Sequence, residues 1–554
     1  MNKKVCSFPI LFALLALLIG TCAVVFPASA QAAPTSTGSI TVSGTVASSY
    51  NAYQIFSANV VDGDNDAKIA TDLAWASDVV RDAALPVLHS AGMPNSQTTA
   101  QEAAEWLNTD SHLTSALSAQ LVRSLQSSGA EFVALNAGTT AELPCGYWLI
   151  VADDDAIAQG EAGTAPIMAL VGGNAVTVKP KAATPKVAKH VLEDSTAAWQ
   201  KAADATVADD LYWRLSATVP AGLTAYDAYT VQLVDTMSAG LDPSRVAASM
   251  HVYVAAAADG GFDAVSAGKD GRVDADPAKG WTDITAQCRV SAEGNSFTVR
   301  TGDLIAALGG ADAFTAGARV VAVYNAPLNS ACNHGIAKGN PNEVYLRYPR
   351  SPFADQSGDA GFTRTPSDDA TAYTWDLALT KRGSDGDKPL AGAVLSITDD
   401  RGRSLAADGT WDAEGKATVT TGEDGRVAVS GVDSGKLEVR ELKAPKGYTA
   451  FEGTRSVTVK AEGLDVDQVA AAKPKLAITA ESPLRADSAD GSTGSLEASL
   501  INTPTGTPPS TITGGFIPST GDMAMYAAAA AAVAGAAILV VALLIKRGGG
   551  NHAE

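Results

Sequence analysis

An uncharged apolar run near the C-terminus constrains this chain more than any other stretch. It extends from Met523 to Ile545, and its length of about 23 residues is sufficient for a membrane-spanning helix. Lys546 and Arg547 follow directly, and basic residues at the end of a span favour the cytoplasmic side of a membrane. The long part of the chain before the run is therefore expected to fold on the outer side of that membrane.

A short motif, Ile517-Pro518-Ser519-Thr520-Gly521, comes just before the apolar run. Together with the span and the basic tail it resembles the L-P-x-T-G cell-wall sorting signal of Gram-positive bacteria, with Ile517 in place of the usual leucine. The resemblance implies that a sortase cysteine attacks the Thr520 carbonyl and releases everything from Gly521 onward, so that the membrane holds the chain only before sorting. The acyl group of such an intermediate can pass to a second amine, for example one of peptidoglycan. The alternative interpretation is a plain membrane anchor.

The N-terminus agrees with export. Lys3 and Lys4 precede an apolar stretch, and Ala28-Ser29-Ala30 has the small-x-small pattern of a signal-peptidase site, which predicts residues 1–30 as a signal peptide. A formal net charge of −20 argues against nucleic acid as a partner, because an acidic surface repels phosphates. We therefore expect a protein of the bacterial cell surface.

Three cysteines remain in the predicted mature chain, an odd number that forbids complete pairing. Cys288 and Cys332 fall in the same predicted domain and are the candidate disulfide. Cys145 is expected to be a buried free thiol.

The chain between the two ends predicts a mainly β fold in three domains. Alternating apolar residues and abundant turn residues predict strands throughout, with helices inserted in the first domain between residues 66 and 129. The expected boundaries are 36–182 for the first domain, 183–355 for the middle domain, 372–504 for the third domain and 505–516 for an extended linker. The sorting signal occupies 517–554, with its helix at 523–545.

Six polar residues interrupt or end apolar strand faces in the middle and third domains. A residue on such a face points into the core, because alternate residues of a strand point to the same side. The same set of an amine, a carboxyl and a carboxamide recurs in both domains. The residues are Lys189, Asp235 and Asn342 in the middle domain and Lys381, Glu441 and Asn502 in the third.

Burial of such a set predicts chemistry within the chain. Desolvation lowers the pKa of a lysine and raises that of a carboxyl group, which yields a neutral amine beside a protonated acid. The acid can polarise the asparagine amide while the amine attacks it, and the products are ammonia and an isopeptide cross-link. No cofactor is needed, and no metal site is predicted. Asp209 is a rival acid and Asn340 a rival amide in the middle domain, and a buried hydrogen-bonded network without a covalent bond is the alternative.

The third domain resembles the Cna B-type fold, an immunoglobulin-like sandwich in which a first-strand lysine bonds to a last-strand asparagine beside a glutamate. The stretch 437–448 keeps the acid Glu441 and the A-P-x-G-Y ending of the family's E-box. The middle domain resembles the middle domain of sortase-assembled pilins through Asp235-Thr236-Met237-Ser238-Ala239-Gly240-Leu241 and Asn342-Glu343-Val344-Tyr345-Leu346. The resemblance implies bonds from Lys381 to Asn502 and from Lys189 to Asn342, with Glu441 and Asp235 as the catalytic acids.

The end of the first domain carries a lysine that the resemblance marks as an acceptor. Val176, Val178, Pro180 and Lys181 match the V-x-V-Y-P-K motif of backbone pilins, with Lys179 in place of the tyrosine. Lys181 is the predicted acceptor of the next subunit, and Lys179 is the second choice. The expected function is a backbone pilin, a non-enzymatic subunit that sortase joins to identical subunits. A wall-anchored adhesin that binds a host or matrix ligand is the alternative.

Overall fold

The computed structural model describes residues 36–64, 67–109, 111–180, 184–256, 280–314 and 318–506, together with the backbone of 265–267 and 273–275. The predicted signal peptide at 1–30, Lys181 and the sorting signal with Thr520 lie outside the described residues. In the part of the chain that is described, no helix has both the length and the apolar character needed to cross a membrane.

The first part of the chain combines two sheets with a helical insertion. The elements are β1 (Thr37–Val42), β2 (Ser49–Asp62), β3 (Lys68–Trp75), α1 (Asp78–Ser90), α2 (Ala100–Asn108), α3 (Ser115–Ser128), β4 (Val133–Asn136), β5 (Thr140–Pro144), β6 (Gly146–Ala152), β7 (Ile167–Val171) and β8 (Val176–Val178). One sheet has the strand order β5-β1-β8, and the other has the order β3-β2-β6-β7 with β4 beside β2.

Local signals explain where the inserted helices begin and end. The Thr99 side chain accepts a hydrogen bond from Glu102 N, and the Glu102 side chain accepts one from Thr99 N, which is a capping box at the start of α2. Helix α3 ends at Gly129, whose positive φ of 71° is favourable for glycine. The helices that the sequence predicted in this part are confirmed.

The middle part is a sandwich of two sheets. The elements are β9 (Val187–Glu193), β10 (Ala198–Gln200), β11 (Ala202–Asp204), β12 (Tyr212–Thr218), β13 (Gln232–Met237), α4 (Val246–Ser249), β14 (His251–Ala255), β15 (Val265–Ala267), β16 (Val273–Ala275), β17 (Trp281–Asp283), β18 (Arg289–Glu293), β19 (Ser296–Arg300), α5 (Leu304–Ala307), β20 (Arg319–Asn325), β21 (Asn340–Pro349), β22 (Phe362–Arg364) and β23 (Asp368–Tyr373). The strand orders of the two sheets are β10-β9-β12-β20-β14-β17 and β11-β23-β21-β13-β19-β18, with β22 beside β21.

The core of this sandwich lies between its two sheets. Trp213 and Leu215 from one sheet and Leu233 and Leu346 from the other belong to one buried apolar cluster. Strand β23 pairs with β21 in antiparallel and with β11 in parallel orientation. The second sheet therefore extends to Tyr373, beyond the predicted limit of 355.

The third part is also built from two facing sheets. The elements are β24 (Trp375–Gly383), β25 (Val394–Thr398), β26 (Ser404–Leu405), β27 (Trp411–Asp412), β28 (Val419–Thr420), β29 (Arg426–Val432), β30 (Gly435–Lys443), β31 (Tyr448–Thr449), β32 (Thr454–Glu462), β33 (Lys475–Ala480), β34 (Leu484–Asp490) and β35 (Ser495–Pro504). The strand orders of the two sheets are β29-β24-β35-β31, with β34 beside β35, and β27-β26-β25-β30-β32-β33, with β28 beside β25.

Candidate cross-linking sites

The middle sandwich brings Lys189, Asp235 and Asn342 together from both of its sheets. Lys189 lies on β9 in one sheet, whereas Asp235 on β13 and Asn342 on β21 lie in the other. Met237 is the register partner of Asn342, and Asp235 is that of Val344, so Asp235 and Asn342 are diagonal neighbours on one face. All three side chains are fully buried. We call this set the middle site.

A tyrosine that the sequence did not single out connects the middle site. The Lys189 ammonium hydrogen-bonds to Asp235 Oδ2 and donates to the Tyr324 hydroxyl at 3.0 Å. Tyr324 donates to Asp235 Oδ2 at 2.9 Å and accepts from Asn342 Nδ2 at 2.8 Å. Tyr324 lies on β20 and is completely enclosed. A tyrosine hydroxyl in an apolar core needs a hydrogen-bond partner, and this was the signal in the sequence that could have revealed it.

Aromatic rings and burial set the electrostatics of the middle site. The Lys189 Nζ atom lies 5.5 Å from the centroids of both the Trp213 and the Tyr324 rings. Burial lowers the pKa of Lys189 to about 8, although the Asp235 charge opposes this shift. Burial also raises the pKa of Asp235 above its ordinary value. Both shifts favour the neutral forms of the amine and the acid.

The two rivals for the middle site have other roles. Asp209 accepts from Arg401 at 2.9 Å and from Arg403 at 2.5 Å, which are contacts with the third part of the chain. Asn340 is fully buried, but its amide accepts from Asn333 N at 2.8 Å and donates to two backbone oxygens. Neither residue has a hydrogen bond to Lys189 among the contacts of the described residues.

The third sandwich arranges Lys381, Glu441 and Asn502 differently. Strands β24 and β35 are parallel neighbours, and their register places Lys381 beside Leu500 and Gly383 beside Asn502. The side chains of Lys381 and Asn502 point into the core, where Glu441 reaches them from β30 in the facing sheet. All three residues are buried. We call this set the third site.

Direct contacts link the acid to the amide in the third site. Asn502 Nδ2 donates to Glu441 Oε1 at 2.9 Å and to Oε2 at 3.0 Å. Lys381 Nζ donates to Leu500 O at 3.1 Å and lies 3.9 Å from Glu441 Oε1. Phe451 N donates to Glu441 Oε2 at 3.1 Å, which fixes the carboxylate. Burial lowers the pKa of Lys381 to about 8.

In both sites the asparagine carbonyl has no hydrogen-bond partner among the described residues. Within that part of the chain, Asn342 Oδ1 and Asn502 Oδ1 are both buried and without a hydrogen bond, and so is Asp235 Oδ1. A buried acceptor without a partner costs about 1–3 kcal/mol. Such oxygens deserve an explanation, because most buried polar groups in native proteins are paired.

The predicted disulfide is wrong, since Cys288 and Cys332 are both free thiols in the structure. Cys288 follows a short 3-10 helix, and its thiol lies against Ile284 O at 3.3 Å. The Cys332 thiol instead lies 3.6 Å from His334 Nε2. Each thiol is thus held by its own local segment. The prediction that Cys145 is a buried free thiol is confirmed.

The end of the first part is described only up to Pro180. Val178 is buried and Val176 is half-buried, whereas Thr177 and Lys179 are exposed. Strand β8 pairs with β1 in parallel orientation, which holds this segment at the edge of its sheet. Lys179 is therefore an accessible amine, and Lys181 lies outside the described residues.

Comparison with known proteins identifies part of the chain. Residues 376–473 match the family model SpaA, described as a prealbumin-like fold domain. This stretch is therefore similar to a SpaA domain. The trypsin-resistant surface T6 protein of Streptococcus pyogenes serotype M6 is 30% identical over 143 residues, which are 24% of this chain and 24% of that protein. The chain thus matches about a quarter of the length of this relative.

Several solved structures are similar over most of the chain. The T6 backbone pilin of serotype M6 Streptococcus pyogenes is 17% identical, with a TM-score of 0.45, and the match covers 85% of this chain and 98% of the pilin. The major pilin SpaD of Corynebacterium diphtheriae is 14% identical, with a TM-score of 0.40 and coverage of 85% and 98%. The family model and the curated relative support the predicted resemblance to surface proteins of Gram-positive bacteria.

The residues that match the SpaA model contain part of the third site. Lys381 and Glu441 lie within the matched residues, whereas Asn502 on β35 lies beyond them. Strand β35, which pairs with β24 from Asp376 to Gly383, completes the site.

Proposed function

We propose that this chain is a structural backbone subunit of a covalently polymerised surface pilus, stabilised by isopeptide bonds within the chain. The observation that carries the proposal is the recurrence of a fully enclosed lysine, acid and asparagine in two sandwiches. The similarity to a SpaA domain and to a streptococcal surface protein supports a role at the surface of a Gram-positive cell.

In the third site the reaction begins when the Lys381 ammonium gives a proton to Glu441. A half-turn of the Asn502 amide exchanges its nitrogen and oxygen, so that protonated Glu441 donates to Oδ1. The neutral amine attacks Cγ of Asn502, and a bond from Nζ to Cγ forms. The bond from Cγ to Nδ2 then breaks, and ammonia leaves with a proton that came from Nζ. Enclosure of both groups supplies an effective molarity on the order of 10⁵ M or more.

The middle site supports the same exchange between Lys189 and Asn342. Lys189 is already hydrogen-bonded to Asp235, so proton transfer between them leaves a neutral amine and a neutral acid. Among the described residues, Asp235 Oδ1 and Asn342 Oδ1 have no hydrogen-bond partner, so no contact of either oxygen has to break before the exchange. Lys189 and Asn342 lie in opposite sheets, so the bond would tie the two layers of the sandwich together.

Polymerisation is the second part of the proposal. Sortase cleaves after Thr520 and transfers this acyl group to Lys181 of the next subunit, or to Lys179 if Lys181 is not the acceptor. The exposure of Lys179 supports an accessible amine at this end of the first part. The last subunit of the fibre is passed to peptidoglycan. The chain acts on itself alone and is not an enzyme for other substrates.

Intact mass and gel mobility test the two parts separately. The full chain should be lighter than its sequence by two ammonia molecules, and Lys189→Met and Lys381→Met should each restore one. A chain of full sequence mass would leave hydrogen-bonded networks only. On cells, Lys181→Arg should abolish a ladder on denaturing gels, with Lys186→Arg as a control. A ladder that disappears only in Lys179→Arg would transfer the joint to Lys179, and no ladder at all would favour a monomeric adhesin.

A further inference from the structure

Tyr324 contacts both nitrogen atoms that exchange places in the proposed reaction of the middle site. Its hydroxyl lies 3.0 Å from Lys189 Nζ and 2.8 Å from Asn342 Nδ2. We propose that Tyr324 is a catalytic residue that relays a proton from Asp235 to the ammonia leaving Asn342. This inference rests on the cross-linking reaction proposed above.

The hydrogen bonds of the Tyr324 hydroxyl form a continuous path for a proton. The oxygen accepts from Lys189 and Asn342, and its hydrogen is donated to Asp235 Oδ2. A hydroxyl has one donor and two acceptor positions, so all of its capacity is used in the site. Tyr324 is completely enclosed, and bulk water therefore does not compete for these bonds.

The middle site needs such a relay because, among the hydrogen bonds of the described residues, none joins Asp235 directly to the amide nitrogen of Asn342. In the third site Glu441 accepts from Asn502 Nδ2 with both oxygens. In the middle site Asn342 Nδ2 has the Tyr324 hydroxyl as its partner, and Asp235 lies on the far side of that hydroxyl. Tyr324 thus lies between the acid and the amide in the middle site, whereas the acid contacts the amide directly in the third site.

The proton balance closes without any added reactant. The Lys189 ammonium first gives one proton to Asp235. The neutral amine attacks Cγ of Asn342, and the tetrahedral Nδ2 gains a lone pair. The phenolic hydrogen then turns from Asp235 Oδ2 towards Nδ2 and moves to it, while Asp235 gives its proton to the tyrosine oxygen. The bond from Cγ to Nδ2 breaks and ammonia leaves. The new amide nitrogen then returns a proton to Asp235, which ends as the neutral acid, and Tyr324 regains its hydroxyl.

The surrounding strands hold the ring in a fixed position. Strand β20 lies between β12 and β14 and pairs with both. The Tyr324 ring also packs against the Phe297 ring in a T-shaped arrangement, with a centroid distance of 4.8 Å and an interplanar angle of 78°. This fixed position favours a relay, since proton transfer depends on hydrogen-bond distances that are already short.

The test follows bond formation in the full chain during cell-free synthesis. Samples are digested, and the peptides that join Lys189 to Asn342 and Lys381 to Asn502 are measured by mass over time. Tyr324→Phe should slow the middle bond by on the order of 100-fold, the lower end of the effect of a general acid or base. The third bond should form at the wild-type rate and serves as an internal control in the same molecule.

A matched substitution separates loss of the relay from loss of a buried hydroxyl. Tyr348 lies on β21, is fully buried, and donates its hydroxyl to Gly160 O at 2.8 Å. Tyr348→Phe should leave the rates of both bonds unchanged. If Tyr324→Phe fails to fold, fluorotyrosine at position 324 preserves the shape and alters only the acidity of the phenol. A changed rate of the middle bond then supports the relay.

Each result decides between the two proposals. Both bonds at the wild-type rate in Tyr324→Phe, or an unchanged rate with fluorotyrosine, would overturn the role of Tyr324 and leave the cross-link intact. The absence of the middle bond from the wild-type chain would instead remove the reaction on which that role depends. Slowing of both bonds in Tyr324→Phe would indicate general misfolding, and the rate of the middle bond with fluorotyrosine at position 324 would then decide for or against the relay.

Discussion

Removing the lysine of the third site should cost that sandwich a large share of its stability. Lys381→Met replaces the amine with an apolar side chain of similar length. Glu441 keeps its hydrogen bonds with Asn502 and Phe451 N but loses the Lys381 ammonium 3.9 Å away. The variant therefore removes the proposed bond together with this buried ion pair, and the loss from the bond alone is the smallest fall in stability to expect.

The magnitude follows from the length of chain that the bond closes. The loop from Lys381 to Asn502 contains about 120 residues, and a cross-link of that span lowers the entropy of the unfolded chain by an amount worth ~5 kcal/mol at 25 °C in the chain-entropy model. For a unit of about 130 residues, 1 kcal/mol corresponds to roughly 3–5 °C in Tm, so we expect Tm to fall by about 15–25 °C.

Differential scanning calorimetry of the full chain measures this change, and intact mass confirms the loss of one bond. Lys460→Met is a suitable control, because Lys460 is an exposed residue on β32 of the same sandwich and forms a surface ion pair with Glu462. A Lys381→Met chain that has regained one ammonia but unfolds within about 5 °C of the wild-type Tm would refute the loop-closure argument. A loss of ~5 kcal/mol should lower Tm by more than that.

Two further predictions concern acids that the structure distinguishes. Asp235→Asn should prevent the middle bond, whereas Asp209→Asn should leave it intact and weaken only the contacts with Arg401 and Arg403, as peptide mapping of both variants would show. Burial, together with the Asp204 charge, raises the pKa of Glu193 to about 7. The folded state therefore binds more protons than the unfolded state, and the stability contributed by protonated Glu193 is lost as pH rises from about 4.5 through 7. Glu193→Gln should flatten this dependence in urea unfolding curves, and an unchanged slope would contradict it.

The sequence predicted the members of both sites because strand alternation is a local property. Lys381 and Asn502 follow apolar residues at every second position, so the strand period alone places them in the core. The acids could be recognised in the same way. What alternation cannot give is the partner in the facing sheet, and for this reason Asp209 remained a rival to Asp235 until the sheets were placed.

Errors arose where a prediction depended on distance between segments. Cys288 and Cys332 fall in the same sandwich, but membership of one domain does not bring two thiols within bonding distance. Tyr324 was missed because a tyrosine in the apolar strand β20 is also what an ordinary core requires. The need of its hydroxyl for a partner could have marked it as a candidate, but its contacts with Lys189 from β9 and Asn342 from the opposite sheet are visible only in the structure.

The two proposed bonds differ in how much chain they leave exposed to a pulling force. In the third sandwich force would pass from β24 through Lys381 to Asn502, close to the end of β35 at Pro504. In the middle sandwich Asn342 lies near the start of β21, and the chain from there to the end of β23 at Tyr373 remains outside the closed loop. Only the middle sandwich therefore keeps a long segment that tension can extend.

Single-molecule pulling on the full chain should detect this difference. The segment 343–373 contains about 30 residues, and its release by peeling β23 from β21 and β11 would lengthen the chain by at most roughly 100 Å. Lys189→Met removes the bond, so the whole stretch 187–373 of about 185 residues could extend by roughly 600 Å. A wild-type chain that already shows the longer step would mean that the middle bond is absent. A wild-type chain with no step would mean that pairing of β23 resists tension as firmly as the bond itself.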